Sequence, residues 1–461
     1  MDLPVATRAL IHATGSRRRE RWSRAQLAEH QRASFERLRR HVLARSPLYR
    51  ELHRGLETAP LQALPILTKS MMVERFDELV TDRRISLTGV QHHMATAVRG
   101  ERYLGRYRIV AGSGTTGEAV AILFDPMSFA GYLATFMRAT VLNGGSLSPF
   151  QRIRHAQVGF TSAWKISPQV LSGLDGPWYR ARRLLATDPI QKLIPALEEW
   201  QPHVIAPITS VGRQLAEEQI AGRLNISPRR VMLTGEVLTP ETRRRIAEAW
   251  GGEPFDEYAA TEVGVIAAEC AEGRRKHLLE DLTIIEAVDG DNRPVPPGTW
   301  GSRVLVTPLW HTTQPLIRYA LSDLVRLSPE PCPCGRTLSV LDAIQGREEE
   351  RLDLPSATGT GRTAVDPILL HAALDTLPVS AWQIRIDNEA VVLVLARAPA
   401  GFDDARLVST VTALLLGLGA RPAAVHVRHV DVIPQTAAGK APLIRPFPTP
   451  HEALPQVVSK P

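Results

Sequence analysis

The chain has 461 residues, of which 44% are hydrophobic and 22% charged, so it can build a large apolar core and does not have the composition of a disordered protein. A chain of this length is expected to divide into at least two domains. Its formal net charge of +7 is carried mostly by scattered arginines and only 5% of residues are aromatic, which argues against a nucleic-acid-binding groove.

Two further classes of protein are disfavoured by the sequence. No stretch approaches the roughly 18 uninterrupted apolar residues of a membrane span, and no apolar block precedes a small-residue cleavage site. Three cysteines are too few for a disulfide framework and are better explained as free thiols or metal ligands. We therefore expect a cytoplasmic protein that has neither a membrane nor a nucleic acid as partner.

The amino-terminal region is predicted to be helical. A basic run, Arg17–Arg19 with Arg21 and Arg24, alternates with acidic residues, which is typical of a solvated helix face. The acidic residues of this pattern are Glu20, Glu29 and Glu36. An amphipathic helix is predicted over residues 25–44, because apolar residues recur there at helical spacing.

From Tyr107 onward, short apolar strands alternate with helices, which predicts an α/β fold. The predicted strands begin near residues 108, 119, 157, 204 and 231, and the predicted helices cover 128–142, 189–200, 209–222 and 240–250. Beyond Arg351 the composition changes. A small α+β unit is predicted there, with helices at 366–377 and 403–418 and strands at 382–387, 390–397 and 425–432.

The segment 110–124 contains a glycine-rich loop. Gly112, Gly114 and Gly117 fit the spacing of a dinucleotide-binding turn, but a strand follows instead of a helix, and no acidic residue occurs from 126 to 174. A Walker loop is also excluded, because Gly439-Lys440 is followed by alanine. Two interpretations remain open: a glycine-rich hairpin, or a loop whose N–H and hydroxyl groups wrap the phosphates of a nucleotide.

At this loop the sequence resembles the adenylate-forming superfamily of acyl-CoA synthetases, adenylation domains and luciferases, whose signature is Ser-Gly-Thr-Thr-Gly. Four further motifs agree in order along the chain: Asp256-Glu-Tyr-Ala-Ala-Thr-Glu262, Arg318-Tyr-Ala-Leu-Ser-Asp323, Gly346-Arg-Glu-Glu349 and Thr436-Ala-Ala-Gly-Lys440. Within that superfamily the chain is most similar to the phenylacetate-CoA ligase branch. Segments that carry this similarity include Ser46-Pro-Leu-Tyr-Arg, Leu64-Pro-Ile-Leu-Thr-Lys and Cys332-Pro-Cys-Gly-Arg.

The resemblance implies a large amino-terminal adenylate-forming domain over residues 1–345, a hinge at 346–350 and a small mobile domain over 351–461 that carries a catalytic lysine. It also implies a role for individual residues. Phosphate binding is expected of Ser113, Gly114, Thr115, Thr116 and Gly117, and further nucleotide contacts of Gly235, Glu236, Asp256, Tyr258, Asp323 and Arg347. The remaining implied roles are Thr261 near the α-phosphate, Glu262 as a Mg²⁺ ligand, Glu349 in the hinge and Lys440 at the carboxylate and α-phosphate.

The chain departs from the family pattern at several positions. Ala259 replaces the usual glycine after the tyrosine, and Leu321-Ser322 replace the usual Thr-Gly before the aspartate. The hinge has Glu348-Glu349 where the family has acids with an aspartate, and residues 352–366 do not resemble its lead into the small domain. These departures put the acyl pocket and the thioester-forming geometry in doubt.

The cysteines all fall in the motif region. Cys270, Cys332 and Cys334, together with His277, form a residue set that is known from tetrahedral zinc sites. A structural Zn²⁺ is favoured, but Cys-x-Cys is shorter than the usual spacing. Buried free thiols therefore remain an alternative.

The expected function is activation of an aryl or arylacetic acid by ATP as an acyl-AMP, followed by transfer to CoA, with Mg²⁺ as cofactor. The acid is expected to bind near 162–164 and 207–209. Two alternatives stay open: an adenylating enzyme that uses an amine, a carrier-protein thiol or another acceptor, and a binding protein that lacks catalysis. A homodimer is considered as well.

Overall fold

A computed structural model describes residues 3–98, 100–112, 121–145, 152–159, 164, 169–171, 179–347, 350–366, 368–433 and 444–446. Its helices before the first strand are α1 (Leu3–Arg19), α2 (Arg24–Arg45), α3 (Pro47–Leu52), α4 (Lys69–Glu74), α5 (Phe76–Leu79) and α6 (Leu87–Thr96). Helix α2 confirms the helix predicted over 25–44. It begins at a capping box in which Ser23 and Gln26 exchange hydrogen bonds.

The prediction of a solvated helix face was wrong for Glu20. This residue is buried, and its carboxylate accepts hydrogen bonds from Arg138 and, at 2.6 Å, from Nε of Arg336. Arg18, Glu29 and other members of the charged run are exposed as expected. The local charge pattern could not identify Glu20, because its two partners lie 118 and 316 residues further along the chain.

The glycine-rich loop joins two antiparallel strands, β1 (Arg108–Ala111) and β2 (Ala121–Phe124), with Ala111 opposite Ala121. The predicted pair of strands around the loop is thus confirmed. Because the loop leads into a strand and not into a helix, the rejection of a dinucleotide-binding turn is confirmed as well.

The next part of the chain forms most of a large sheet. Its elements are α7 (Pro126–Leu142), β3 (Ile153–Gly159), β4 (Tyr179–Leu185), α8 (Ile190–Trp200), β5 (Val204–Pro207), α9 (Thr209–Ile220), β6 (Arg230–Thr234), α10 (Pro240–Trp250), β7 (Phe255–Ala260), β8 (Gly264–Glu269) and β9 (Lys276–Leu278). The predicted α/β alternation is confirmed.

A three-stranded sheet follows, and the chain then returns to the large sheet. The smaller sheet consists of β10 (Thr283–Val288), β11 (Arg303–Pro308) and β12 (Tyr319–Leu321), and the returning strands are β13 (Asp323–Leu327) and β14 (Val340–Arg347). The large sheet has the order β13-β14-β9-β8-β7-β6-β5-β3-β4. Strands β3, β5, β6 and β7 are parallel, so their carboxyl ends open at the same edge of the sheet.

Residues 352–446 form a smaller α+β unit over the part that the structure describes. Its elements are β15 (Leu352–Pro355), β16 (Arg362–Val365), α11 (Ile368–Leu374), β17 (Ala381–Asp387), β18 (Ala390–Ala396), α12 (Asp404–Gly417), β19 (Val425–Val430) and β20 (Ile444–Pro446). The hairpin β15–β16 occupies the stretch whose sequence does not resemble the family. A separate hydrophobic cluster, built from residues 352–425, lies inside this unit. The exact division into two domains stays a prediction.

The small unit contacts the large one through helix α9. The Arg213 guanidinium lies 3.5 Å from the Val379 carbonyl oxygen and 4.0 Å from the Asp375 carboxylate. Arg397 of the small unit lies 3.8 Å from Glu218. Within the described ranges, no helix is both long enough and apolar enough to cross a membrane.

Candidate active site

Several of the predicted site residues that the structure describes lie at the carboxyl edge of the parallel strands. Thr234, the last residue of β6, pairs with Glu257 of β7 and bridges to Ile208, which directly follows β5. Tyr258 comes next on β7, and Thr261 and Glu262 lie in the turn that follows that strand. In open α/β sheets, ligands bind in the crevice at this edge.

Two predicted nucleotide-binding residues from different motifs are hydrogen-bonded to each other. The Tyr258 hydroxyl donates to Oδ2 of Asp323 at 2.9 Å, and Nε of Arg347 lies 3.5 Å from Oδ1 of the same carboxylate. Asp323 begins β13 and Arg347 ends β14, where the two residues pair directly across the strands. Sheet register therefore brings three sequence-distant residues into one polar cluster.

The second cluster surrounds the turn after β7. The Tyr319 hydroxyl donates to Oε1 of Glu262 at 3.3 Å, and the Tyr132 hydroxyl donates to the Thr261 carbonyl oxygen at 3.1 Å. Thr261 and Glu262 are half-buried, so both remain open to a ligand. Helix α7 and strand β12 thus hold the predicted Mg²⁺ ligand and its neighbour from two sides.

The tyrosines of both clusters remain protonated over the physiological range. Burial raises the pKa of Tyr258 well above its usual value, and the Asp323 carboxylate raises it further. Burial, together with the charge of Glu262, also raises the pKa of Tyr319 and of Tyr132. Each hydroxyl is therefore a fixed hydrogen-bond donor that orients its acceptor.

Gly235 and Glu236 follow β6 at the same edge of the sheet. Gly235 has a φ of +87°, a backbone conformation that suits glycine. The Glu236 carboxylate accepts a hydrogen bond from the Ser210 backbone N–H at 2.7 Å, and its carbonyl oxygen accepts one from the Thr209 hydroxyl at 3.3 Å. These bonds tie the turn to the first residues of α9. Of these, Thr209 belongs to the segment that was predicted to contact the acid.

The Asp256 carboxylate forms an ion pair with a lysine of the neighbouring strands. Its Oδ2 lies 2.6 Å from Nζ of Lys276, and its backbone N–H donates to Glu269. The ion pair is mostly buried, so the lysine side chain anchors β9 to β7. The nucleotide contact of Asp256 stays a prediction.

Several predicted site residues lie outside the described residues. They are Ser113, Gly114, Thr115, Thr116 and Gly117 of the glycine loop, Glu349 of the hinge, Lys440 of the carboxyl-terminal motif, and Ser162 and Ala163 of the predicted acid pocket. Their roles stay predictions. Trp164 is described, and its carbonyl oxygen accepts a hydrogen bond from the backbone N–H of Ala111 at 2.5 Å.

The three cysteines and His277 come together at the other end of β13 and β14. Their candidate ligand atoms all lie within 4.8 Å of one another. Sγ of Cys270 lies 3.7 Å from Sγ of Cys332, and Sγ of Cys334 lies 3.3 Å from Nε2 of His277. A tetrahedral zinc with Zn–S bonds of about 2.3 Å needs sulfur–sulfur separations of about 3.7 Å. The four side chains therefore fit a zinc ion.

Details around the cluster agree with a metal site. Nδ1 of His277 lies 3.3 Å from the Leu338 carbonyl oxygen, so the ring is oriented with Nε2 toward the cysteines. A Cβ at Gly273 would clash with the Cys332 sulfur. Burial raises the pKa of Cys332. For Cys270 burial is outweighed by hydrogen bonds from the backbones of Arg275 and Gly273 together with those from the other two thiols, so its pKa is lowered.

No family model matches the chain. In sequence, the chain is 30% identical over 213 residues to the phenylacetate-coenzyme A ligase of Thermus thermophilus, which covers 44% of this chain and 46% of that protein. It is 31% identical over 262 residues to the Escherichia coli phenylacetate-coenzyme A ligase, covering 53% and 56%. The resemblance to phenylacetate-CoA ligases is confirmed. The chain spans about half the length of the curated relatives it matches.

Solved structures of acyl-CoA ligases share the fold over most of the chain. A 2-hydroxyisobutyryl-CoA ligase in its postadenylation state superposes with a TM-score of 0.68 at 19% identity, covering 90% of this chain and 88% of that one. An ATP-bound MatB from Rhodopseudomonas palustris gives a TM-score of 0.52 at 17% identity, over 75% and 68%. The predicted fold of the adenylate-forming ligases, with a large amino-terminal and a small carboxyl-terminal part, is thereby confirmed.

Three residues near the site had no role predicted from the sequence. Tyr132 had no role assigned, and Tyr319 was quoted only as part of a motif. Arg318 has a left-handed backbone with φ of +49°, and its buried guanidinium pairs with Glu286 at 3.2 Å and with the Leu64 carbonyl oxygen at 2.7 Å. This arginine is therefore a structural anchor that positions Tyr319, and the motif spacing alone could not reveal that.

Proposed function

We propose that the chain is an AMP-forming acid-CoA ligase that activates a carboxylic acid with ATP and transfers the acyl group to CoA. The observation that carries this proposal is the contact between Tyr258 and Asp323. It joins two separate motifs at the carboxyl edge of the sheet, beside Thr261 and Glu262. Such a cluster offers an aromatic face for adenine and a carboxylate for the ribose hydroxyls.

In the first proposed step, a carboxylate oxygen of the acid attacks the α-phosphorus of ATP. The bond to the bridging oxygen breaks, and pyrophosphate leaves. Because two anions must meet, charge neutralisation and alignment matter more than a covalent group on the protein. Glu262 would hold Mg²⁺, which supplies part of that neutralisation, and Thr261 would lie near the α-phosphate. The glycine-loop residues 113–117 would hold the outer phosphates.

Lys440 would provide the remaining positive charge from the small unit. In the second proposed step the CoA thiolate attacks the acyl carbon, and AMP leaves with the oxygen that linked it to the acyl group. Movement about the hinge, with Glu349 in it, would withdraw Lys440 between the steps and admit CoA. The division at 346–350 and this movement belong to the proposal.

An aryl or arylacetic acid is the proposed substrate class, supported by the curated relatives. The departures at Leu321-Ser322 and at residues 352–366 keep the alternative acceptor in consideration: an amine, a carrier-protein thiol or another small nucleophile. Free thiols suit a reducing compartment such as the cytoplasm. A homodimer stays a prediction.

We also propose that Cys270, His277, Cys332 and Cys334 bind a structural Zn²⁺. All four positions of a tetrahedron are filled by protein side chains, which is typical of structural and not catalytic zinc. Metal analysis of protein purified without chelator should give one zinc per chain. A content far below one would contradict the site.

ATP-pyrophosphate exchange with Mg²⁺ tests the adenylation proposal. A panel of aromatic, arylacetic and aliphatic acids should include at least one that supports exchange, and Lys440→Ala should abolish it. Thioester formation with CoA then decides the acceptor. Exchange without any thioester would favour the alternative acceptor. ATP binding without exchange for any acid would contradict the proposal that the chain is an adenylating enzyme.

A further inference from the structure

The β7–β8 hairpin is irregular just before the turn that carries Thr261 and Glu262. Its strand pairing shifts by one residue between Tyr258 and Ala259, so β8 has one residue more than β7 at this point. An extra residue of this kind is a β-bulge, which bends the strand and changes the direction of the side chains beyond it. The direction of Glu262 therefore depends on what holds the bulge in place.

Helix α7 holds the β8 side of the bulge through Thr135. The Thr135 hydroxyl accepts a hydrogen bond from the Val265 backbone N–H at 3.0 Å and donates one to the Tyr132 carbonyl oxygen at 2.8 Å. Thr135 and Val265 are both fully buried. Loss of the hydroxyl would leave the Val265 N–H unpaired away from water, at a cost of on the order of 1–3 kcal/mol.

The same face of α7 also holds the other end of the turn. Tyr132 lies three residues before Thr135, so the two side chains are neighbours on the helix surface. The Tyr132 hydroxyl donates to the Thr261 carbonyl oxygen at 3.1 Å. Between these contacts lies Gly264, with a φ of +82°, where a Cβ would clash with the Thr135 hydroxyl. The backbone from 261 to 265 is thus fixed against one helix face.

Helix α7 is a firm support for this turn, because most of its residues are buried. On one side Gly131 lets the Trp310 ring approach, and a Cβ at this glycine would clash with that ring. Further along, the fully buried Arg138 pairs with Glu20 and Asp281. A close-packed helix cannot shift without disturbing these neighbours, so it transmits its position to the turn.

We propose that Thr135, together with Tyr132, is a positioning residue that directs the Glu262 carboxylate toward a divalent cation bound with ATP. Mg²⁺ demands near-ideal octahedral geometry of its ligands. A displacement of about 1 Å far from the chemistry can cost about 100-fold in rate. The inference rests on the proposed function and adds two residues that act through the backbone of the turn.

The test uses Thr135→Val, which keeps the shape of the side chain and removes the hydroxyl. The Kd for ATP is measured by isothermal titration calorimetry with Mg²⁺ and with EDTA. Mg²⁺ should tighten ATP binding in the parent protein, and Thr135→Val should lose about tenfold of that tightening. Its kcat for ATP-pyrophosphate exchange should also fall about tenfold or more. Thr135→Ser retains the hydroxyl and should stay within about threefold of the parent protein in both measurements.

Thr140→Val is the matched control on the same helix. The Thr140 hydroxyl donates to the Phe136 carbonyl oxygen of its own helix, so its removal should change neither the Mg²⁺-dependent tightening nor kcat. Denaturant titration of each variant separates stability from function. A folded Thr135→Val protein that loses stability but keeps both the tightening and kcat overturns the inference, because Thr135 would then support the fold alone.

Tyr132→Phe carries the test if Thr135→Val does not fold. It keeps the ring in the core and removes the hydroxyl that donates to Thr261, so the Mg²⁺-dependent tightening should fall in the same direction. An unchanged tightening in that variant overturns the inference.

Failure of the inference can be distinguished from failure of the proposed function. A parent protein that supports exchange, but whose ATP affinity does not depend on Mg²⁺, keeps adenylation and overturns the inference. A parent protein that supports exchange with no acid overturns the proposed function and the inference with it.

Discussion

The β7–β8 hairpin and the β13–β14 hairpin meet at two places that differ in chemistry. At one end Tyr258 contacts Asp323 through a hydrogen bond, beside the partly exposed guanidinium of Arg347. At the other end, three thiols and one imidazole, mostly buried, lie close enough to contact one another or to bind a metal ion. The same two chain segments are thus joined at one end by the proposed nucleotide-binding residues and at the other by the proposed zinc ligands.

That difference predicts that substitution at the thiol end mainly lowers stability, whereas substitution at the polar end mainly lowers activity. The largest effect is expected from Cys332→Ser. Loss of a structural metal ligand should lower the free energy of unfolding by on the order of 4 kcal/mol, measured by denaturant titration. His203→Gln, a histidine outside the cluster, serves as control. Equal stability of Cys332→Ser and the parent protein would contradict a structural role for the cluster.

At the polar end, Asp323→Ala should reduce kcat/KM for ATP in the exchange assay by about 10- to 100-fold, the worth of a hydrogen bond to a charged group. Its free energy of unfolding should fall less than that of Cys332→Ser, by about 1–3 kcal/mol, because only the buried Tyr258 hydroxyl loses its acceptor. Asp342→Ala on the neighbouring strand β14 removes an exposed aspartate that pairs with Arg326, and it should leave exchange unchanged. Equal loss of exchange in Asp323→Ala and Asp342→Ala would contradict a specific role for Asp323.

Glu257 lies on β7 between the two ends, and its effect depends on pH. Since burial raises its pKa from about 4.5 to about 7, the folded protein binds more protons than the unfolded chain in this window, and stability falls as pH rises through it. Glu257→Gln should therefore raise the free energy of unfolding by about 1–3 kcal/mol at pH 8, with a smaller gain at pH 5.

Glu286→Gln provides the contrast for that measurement. Its carboxylate pairs with the buried Arg318, so the substitution should destabilise the protein at pH 8. A gain at Glu257 that does not vary with pH would contradict the stated cause, because only titration of the carboxyl group produces the pH dependence.

The smallest effect is expected from Tyr319→Phe. This change removes the hydroxyl that donates to Glu262 while the ring stays in the core. Because the hydrogen bond is long, at 3.3 Å, kcat/KM for ATP should fall only about fivefold. The loss should be partly recovered at high Mg²⁺ concentration. Tyr179→Phe, on the far edge strand β4, should leave kcat/KM for ATP unchanged. A loss that Mg²⁺ does not influence would place Tyr319 in packing alone.

The sequence predicted the order of strands and helices well, because each has a strong local pattern. The helix at 25–44 and the strands around the glycine loop are examples. Short motifs also predicted Tyr258, Asp323 and Glu262 as candidate site residues. What brings them together is sheet register, for instance Asp323 opposite Arg347, and register depends on pairing across long stretches of chain.

Other features could not be predicted because their cause is a distant partner. Glu20 looked like a surface residue in a charged run, but it lies against Arg138 and Arg336. Asp256 belongs to a site motif, yet its carboxylate forms an ion pair with Lys276. The motif gave no sign that Glu257 is buried, because its partner Asn143 lies 114 residues earlier, at the end of α7.

The contact of Glu20 also has a consequence for the order of folding. Glu20 directly follows helix α1, and its carboxylate joins a residue of α7 and one in the loop between β13 and β14. Those segments must be in place before the end of the helix can dock there. Until it does, Arg138 and Arg336 lack this counter-charge.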